Sequence, residues 1–353
     1  MRVLIDTSFA ARGRSGTGVY LDRLVTALRD RGEVEVVEAR QRLRLRPGQA
    51  GRRRNLARSA ANALLDAAWV GVGLPLAARR ARANVIHHPL PARSLGARCA
   101  QVVTVHDVAF ERHPDWYDPA WRRIARRQHR RAVRSADAIV CISDHTARDA
   151  QALLGAPADR IVVALHGPGQ RLPQVQPIRP AEHFLYVGSS EPRKNVEGLL
   201  HAYAQYRAAE QEPLALVLCG ESARRAGAPG VTGEPDAVPA RLAELFAGAA
   251  ALAHPAPLEG FGLTLLEAMA AATPVLGVRS AIAEEVCGEA ALLVEAGELT
   301  DGLARLHHDE ALRERLARAG AERAAAFSWE SSAQRHELAY ELAVERRAST
   351  RRP

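Results

Sequence analysis

Forty-eight residues of this 353-residue chain are cationic, and a single one of them is lysine, Lys194. Arginine is a flat, weakly hydrated fork, whereas lysine is a compact point charge whose pKa moves readily on burial. In a chain that has drifted this far toward arginine, a retained lysine marks a need for a point charge: a phosphate, a buried carboxylate or a Schiff base. It lies in Val187-Gly188-Ser189-Ser190-Glu191-Pro192-Arg193-Lys194-Asn195. A second stretch that could do chemistry is Leu258-Glu259-Gly260-Phe261-Gly262-Leu263-Thr264-Leu265-Leu266-Glu267. A Gly-x-Gly turn running straight into an apolar helix lets backbone N–H groups converge, and the helix start adds partial positive charge. That is an anion site built without a side chain. Glu259 precedes the turn and Glu267 follows it by about one helical turn, so the two carboxylates straddle the site. Carboxylates accept hydrogen bonds from ring hydroxyls. The spacing suits a nucleotide diphosphate sugar, one carboxylate on the sugar and one on the ribose.

Both stretches need a scaffold that presents loops at strand ends. Phe184 to Gly188 is a short β-rich apolar run, Pro192 stops it, and Val196, Leu199, Leu200 and Tyr203 then recur at helical spacing. A cation between a strand and a helix sits where open α/β sheets bind ligands. The first half alternates in the same way, with strands at 2–5, 34–37, 84–87, 101–105, 138–142 and 160–165. Helices are expected over about 19–31, 60–82, 119–135 and 144–154. The stretch with Pro168, Pro173, Pro177 and Pro180 lacks periodicity and reads as a linker over 167–182. After it come strands at 184–188, 214–219, 250–253 and 274–277, with helices at 195–208, 238–247 and 263–271 and helical segments to about 348. The expected organisation is a Rossmann-like domain over 1–166, a second over 183–328, a crossover helix over 329–348 and a frayed tail over 349–353. A mostly parallel sheet in each domain, with a cleft between them, follows from the alternation.

Composition narrows the function classes. Hydrophobic content of 47% with 25% charged residues is that of a globular protein. Residues 1–180 hold 31 arginines against 15 acidic residues, a net of +16, while residues 181–353 hold 17 cations against 25 acidic residues, a net of −8. The arginines concentrate in two runs, Arg40 to Arg58 (including Arg42, Arg44, Arg46, Arg52, Arg53 and Arg54) and Arg122 to Arg134. No nucleic-acid reader motif or interleaved aromatic residues accompany them, so an anionic membrane surface or phosphorylated ligands fit better and no nucleic acid is expected. Cys99, Cys141, Cys219 and Cys287 have no paired spacing for zinc or redox chemistry, and reduced buried thiols point to the cytosol. Met1-Arg2-Val3-Leu4-Ile5-Asp6 reads as a strand rather than a signal peptide. Ser59 to Ala78 is weakly polar, but Asn62, Asp66, Gly71, Gly73 and Pro75 make it a poor membrane span. His87-His88 and His307-His308 lack acidic or cysteine companions at ligand spacing, so no metal site is expected.

Glu259-x7-Glu267 with Gly-Phe-Gly inside it, together with Pro192-Arg193-Lys194-Asn195, resembles family 4 of the retaining glycosyltransferases. Three N-terminal pieces are similar to that family in the same order: Gly16-Thr17-Gly18-Val19-Tyr20, Thr104-Val105-His106-Asp107, and Ala138-Ile139-Val140-Cys141-Ile142-Ser143. Phe327-Ser328-Trp329-Glu330 resembles the entry to the family's C-terminal helix. The resemblance covers nearly the whole chain and implies the GT-B fold, two Rossmann-like domains facing across a cleft, with that helix crossing back to the first. It implies that Arg193 and Lys194 bind the diphosphate, and that Gly16, Gly18 and the backbone of Gly260, Phe261, Gly262 and Leu263 complete the cradle. Glu259 would hold the donor sugar, Glu267 the ribose, and His106 would line the sugar pocket. Many members carry arginine directly after the glycine of the Val-Gly strand end, where this chain has Ser189. That departure bears on the donor more than on activity.

The expected activity is therefore retaining transfer of a hexose from a nucleotide diphosphate sugar to a glycan or lipid-linked hydroxyl acceptor. No cofactor and no metal are expected, since no Asp-x-Asp stands at a strand end. The Pro-Arg-Lys-Asn wording resembles a mannosyltransferase-like subgroup, which implies GDP-mannose as the first donor to test. The expected location is the cytoplasm, peripheral on the inner face of the membrane. Two rival readings are a phosphorylase of the same fold, with Lys194 as a Schiff base to pyridoxal phosphate, and a basic membrane-surface or nucleic-acid binding protein with a vestigial cleft.

Overall fold

The computed structural model describes residues 1–10, 16–41, 43, 56–170, 172–176, 178 and 180–350. Arg42, Arg44, Arg46, Arg52, Arg53 and Arg54 of the first basic run, Pro177 of the proline-rich stretch and the tail Arg351-Arg352-Pro353 lie outside the described residues. The chain divides into two compact units, Met1–Ala164 with Trp329–Pro353, and Leu165–Ser328.

The first unit opens with β1 (Arg2–Asp6), α1 (Gly16–Arg31) and β2 (Glu35–Ala39). Next come α2 (Leu56–Ala68), α3 (Leu74–Ala81), β3 (Val85–His88), β4 (Ala100–Val105) and a short α4 (Ala109–Arg112). Its remaining strands are β5 (Ala138–Cys141) and β6 (Ile161–Val163), with α5 (Pro119–Ser135) before β5 and α6 (Asp144–Asp149) after it. All pairs are parallel, in the order β2-β1-β3-β4-β5-β6. Every residue of β3, β4 and β5 is buried, as a parallel sheet covered on both faces requires. Helix starts are marked locally. Asp118 accepts from the amides of Ala120 (3.0 Å) and Trp121 (2.9 Å) ahead of α5, with Pro119 at its first position.

Helix α1 begins three residues earlier than expected, at Gly16. The single helix expected over 60–82 is interrupted by a π turn, Trp69–Gly73, that joins α2 to α3. A Cβ at Gly73 would lie 2.3 Å from the Trp69 ring, so glycine is what lets the indole cover the wide turn.

Residues 165–182 contain no helix or strand among those described. The second unit then runs β7 (His183–Val187), α7 (Val196–Ala209), β8 (Ala215–Cys219), β9 (Val231–Glu234), α8 (Pro239–Gly248) and β10 (Ala249–His254). It continues with α9 (Leu263–Ala270), β11 (Val275–Val278), α10 (Ala281–Cys287), β12 (Leu292–Val294), α11 (Leu299–His308) and α12 (Glu310–Ala324). Its sheet is also wholly parallel, in the order β12-β11-β10-β7-β8-β9. Counted from its own first strand, that is the doubly wound dinucleotide-fold order. Strands β9 and β12, which close the sheet at its two edges, were not expected.

The last helix, α13 (Trp329–Ser349), belongs to the first unit. Ala333, Ala339, Tyr340 and Ala343 pack with Val3, Ile5, Val102 and Val140 on one face of the first sheet, beside α1. A chain of buried hydrogen bonds fastens it there. His336 Nδ1 lies 2.7 Å from the Ser332 carbonyl, so that nitrogen carries the proton and Nε2 accepts from the Tyr20 hydroxyl at 2.8 Å. Tyr20 in turn accepts from Thr104 (2.9 Å), Thr104 from His87 Nε2 (2.8 Å), and His87 Nδ1 from Tyr340 (2.9 Å). The chain leaves α13 at Tyr340, crosses β3, β4 and α1, and returns to α13 at Ser332. With every member satisfied, the helix is held in one register.

Candidate active site

In the second unit the strand order changes direction between β7 and β10, which pair directly with Leu185 opposite Leu252. The crevice outside the carboxyl ends at such a point is where open α/β sheets bind ligands. Both chemistry-bearing stretches leave the sheet there. From β7 the chain passes Gly188 into a tight turn, Pro192–Lys194, closed by Asn195 with a positive φ of 51°. The Asn195 side-chain amide donates to the Pro255 carbonyl (3.3 Å), tying this turn to the loop that follows β10.

That loop brings Glu259 onto the cations. Its carboxylate is bound by the Lys194 ammonium and by Arg193 NH1 at 3.3 Å, with His254 Nε2 at 3.6 Å. Arg193 Nε also donates to Glu191 at 2.8 Å. Burial pushes the Glu259 carboxyl up, but the neighbouring charges of Lys194 and Arg193, with His254 and the Lys194 hydrogen bond, together outweigh it and hold the group below its ordinary value. Burial takes His254 down to about 4, so this imidazole is neutral at pH 7. Of the three partners that Lys194 suggested in the sequence, the one present is a buried carboxylate. The cluster is a pair of cations shared between two carboxylates, Glu259 and the exposed Glu191.

The Gly-Phe-Gly turn is built as an anchored loop. Phe261 is buried against His166 (ring centroids 4.9 Å) and Phe327 (6.0 Å), so its ring anchors the turn. Gly262 has φ 82°, and a Cβ there would sit 2.9 Å from Leu265 Cδ1, so only glycine starts α9 in this way. The amides of the first helical turn from Leu263 have no partner within the helix. Glu267 is buried on α9 and accepts from the Gln170 amide at 2.9 Å.

The remaining expected residues belong to the first unit. His106 follows β4 and donates from Nε2 to the Pro89 carbonyl at 2.9 Å. Its ring stands edge-on to Tyr20 at 5.0 Å, and burial lowers its pKa, so it too is neutral at pH 7. Gly16 and Gly18 form the first turn of α1. Ser189, in the place of the family's arginine, accepts at its carbonyl from the Tyr186 hydroxyl (2.8 Å).

His254 was missed in the sequence, although it ends an apolar strand five residues before Glu259. The statement that His307 and His308 lack an acidic companion is corrected. Glu210, at the end of α7, reaches His308 Nε2 at 2.9 Å, and candidate ligand atoms of all three lie within 4.8 Å of one another. Sequence spacing hid this because Glu210 arrives from a different helix. Both imidazoles already have protein partners, since Tyr206 donates to His307 Nδ1 at 2.8 Å while accepting from the Leu214 amide.

Comparison with known proteins agrees with this architecture. Residues 14–167 match the Glycosyltransferase Family 4 model and residues 171–323 the Glycosyl transferases group 1 model, between them most of the chain. O-antigen chain mannosyltransferase B of Escherichia coli is 29% identical over 266 residues, 68% of this chain and 70% of that protein. Sucrose-phosphate synthase from Thermosynechococcus elongatus superposes with a TM-score of 0.72 at 18% identity, over 97% of this chain and 98% of that one. Anabaena HepE in complex with UDP-glucose superposes with a TM-score of 0.65 at 16% identity, over 96% and 99% of the two chains.

Proposed function

Because this chain belongs to the family 4 glycosyltransferases and has their GT-B fold, we propose that it is a retaining, metal-independent hexosyltransferase. The proposed reaction moves mannose from GDP-mannose to a hydroxyl of a glycan or lipid-linked acceptor. The observation that carries the proposal is the convergence of Arg193, Lys194 and Glu259 at the carboxyl ends of β7 and β10. Mannose is favoured by the likeness to an O-antigen mannosyltransferase. The UDP-glucose bound to HepE makes uridine diphosphate sugars the necessary competitors.

In this reading the donor's diphosphate takes Lys194 and Arg193 from Glu259, and the released carboxylate accepts hydrogen bonds from the sugar. Glu267 holds the ribose, and the amides of Gly260 to Leu263 complete the cradle. The bond between the anomeric carbon and the β-phosphate oxygen breaks. The acceptor oxygen bonds to the same face of the carbon, and its proton passes to the leaving phosphate oxygen. Charge grows on that phosphate, and preorganised cations stabilise it most where water is excluded. The enzyme works in the cytoplasm, its basic first half on the inner face of the membrane.

Release of nucleoside diphosphate from GDP-mannose, UDP-glucose and related donors tests the assignment. Turnover should be highest with GDP-mannose and should survive excess EDTA. Complete loss on chelation, restored by manganese or magnesium, would overturn metal independence. Hydrolysis of none of the donors would overturn the proposal as a whole.

A further inference from the structure

The helices over one face of the first sheet expose large apolar side chains that no role above uses. Leu64 (72% exposed), Val72 (60%) and Leu76 (47%) point outward from α2–α3, and Trp121 (49%) and Ile124 (59%) point outward from α5. The two helical segments share a layer. Leu4 and Ile86 pack under α3, while Val103 and Ile139 pack under α5. Leu4 pairs with Ile86 and Val103 with Ile139, and Ile86 and Val103 lie on the same side because Ile86 stands opposite Gln101, two residues before Val103. Helices α1 and α13 cover the other face.

Around these apolar residues arginines outnumber the acidic residues Asp66 on α2 and Asp118 at the start of α5. Arg79, Arg80, Arg123, Arg127 and Arg131 are exposed, and none is ion-paired among the described residues. Helix α5 contains no acidic residue. Ala61–Ala81 is also long and apolar enough, by length and composition, to cross a bilayer, contrary to the expectation of a poor span. It does not cross one in this fold, because Leu74 and Ala78 are buried against Leu4 and Ile86 and only its outer side is available. An apolar stripe with Trp and Leu, edged by arginine and lying flat, is the pattern of a helix that rests in the head-group region of an anionic bilayer.

We propose that this layer is the membrane-docking face of the protein. Leu64, Val72, Leu76, Trp121 and Ile124 enter the head-group boundary, and the exposed arginines neutralise anionic lipid. The inference names the surface for the membrane partner proposed above, but it rests on side chains that the donor assignment does not use and can stand if that assignment fails.

The test uses the full-length chain with vesicles of phosphatidylcholine alone and of phosphatidylcholine with phosphatidylglycerol. The wild type should pellet with the mixed vesicles at low salt and release at high salt. The triple variant Leu64→Asp, Val72→Asp, Leu76→Asp should lose about a hundredfold in vesicle affinity, since burial of each such side chain is forfeited and an anion added. Because all three side chains are exposed, circular dichroism and donor hydrolysis should be unchanged. A wild type that stays in the supernatant at low salt overturns the proposal, as does a triple variant that binds like the wild type. A wild-type dimer in sedimentation velocity that the triple variant dissolves would overturn it in favour of a second copy on this face. Vesicle binding without hydrolysis of any nucleotide sugar would leave the docking face standing and remove the donor assignment.

Discussion

Each unit carries a cluster of polar side chains, buried in the first and largely half-buried in the second, and the two are built on opposite principles. The first unit's cluster, Tyr20, His87, Thr104, His336 and Tyr340, is neutral, and each hydroxyl or ring nitrogen in the chain has a defined partner. The second unit's cluster, Arg193, Lys194, His254 and Glu259, is charged, with both cations on the Glu259 carboxylate and Arg193 shared with the exposed Glu191. A closed neutral chain loses by any exchange of partners. Cations paired with carboxylates can exchange one of them for an incoming anion. Buried polarity alone therefore does not mark an active site; charged pairs that a ligand can displace do.

The comparison breaks first at Lys194. Lys194→Ala should lower turnover by about 10²–10³, the scale of one lost stabiliser of developing charge, and Lys194→Arg should remain impaired because a fork does not replace a point charge. Full activity in Lys194→Arg, in a steady-state assay, would show that any cation serves. Glu259→Gln should sharpen the contrast. Turnover falls with loss of the sugar contact, while binding of nucleoside diphosphate tightens by about tenfold, or about 1.4 kcal/mol, as Lys194 is released. Unchanged or weaker binding by calorimetry would mean that the ion pair does not compete with phosphate.

Acid acts on stability through a buried neutral imidazole in each cluster, His254 in the second and His336 in the first. Burial depresses His336 to about 4, well below the ordinary imidazole value. Above pH 6.5 neither the folded nor the unfolded form carries this proton. Between 6.5 and 4 the unfolded chain takes it up and the folded one does not, so stability falls by about 1.4 kcal/mol per pH unit for this group. His336→Gln should make the fall of unfolding free energy over that window shallower, measured by denaturant titration. An unchanged slope would mean that His336 charges in place. Tyr340→Phe leaves His87 Nδ1 without its donor and should cost about 1–3 kcal/mol of unfolding free energy, with no effect on turnover. Donor binding should not change.

Much of this was legible in the sequence, for reasons that the exceptions make plain. Strands buried on both faces, such as Ala138–Cys141 and Ala249–His254, announce themselves as unbroken apolar runs. The edges of the second sheet do not. Val231–Glu234 contains two exposed residues, and Leu292–Val294 is three residues of intermediate burial. Lys194 and Glu259 were each recognisable by type and setting, yet their contact was not, because 65 residues separate them and only the adjacency of β7 and β10 joins them. The neutral cluster gave no local signal at all. Tyr20 and His336 lie 316 residues apart, and in α13 His336 and Tyr340 read as ordinary helical residues.

The π turn at Trp69–Gly73 has a consequence for the rotational phase of its helix. Leu64, Ala68, Val72, Leu76 and Arg80 recur at every fourth position. An α helix advances about 100° per residue, so such a repeat creeps about 40° around the axis at each step. Over four steps the stripe would wind through about 160°, and Arg80 would face nearly opposite to Leu64. One residue taken up in a wide turn cancels about 100° of that winding. The same correction keeps Val70, Leu74 and Ala78 together on the inner side. Deleting Gly71 would let the wide turn close as an ordinary α turn with the phase beyond it unchanged, whereas one further residue inserted there would rotate everything beyond it by about 100°, turning Leu74 and Ala78 out of the core.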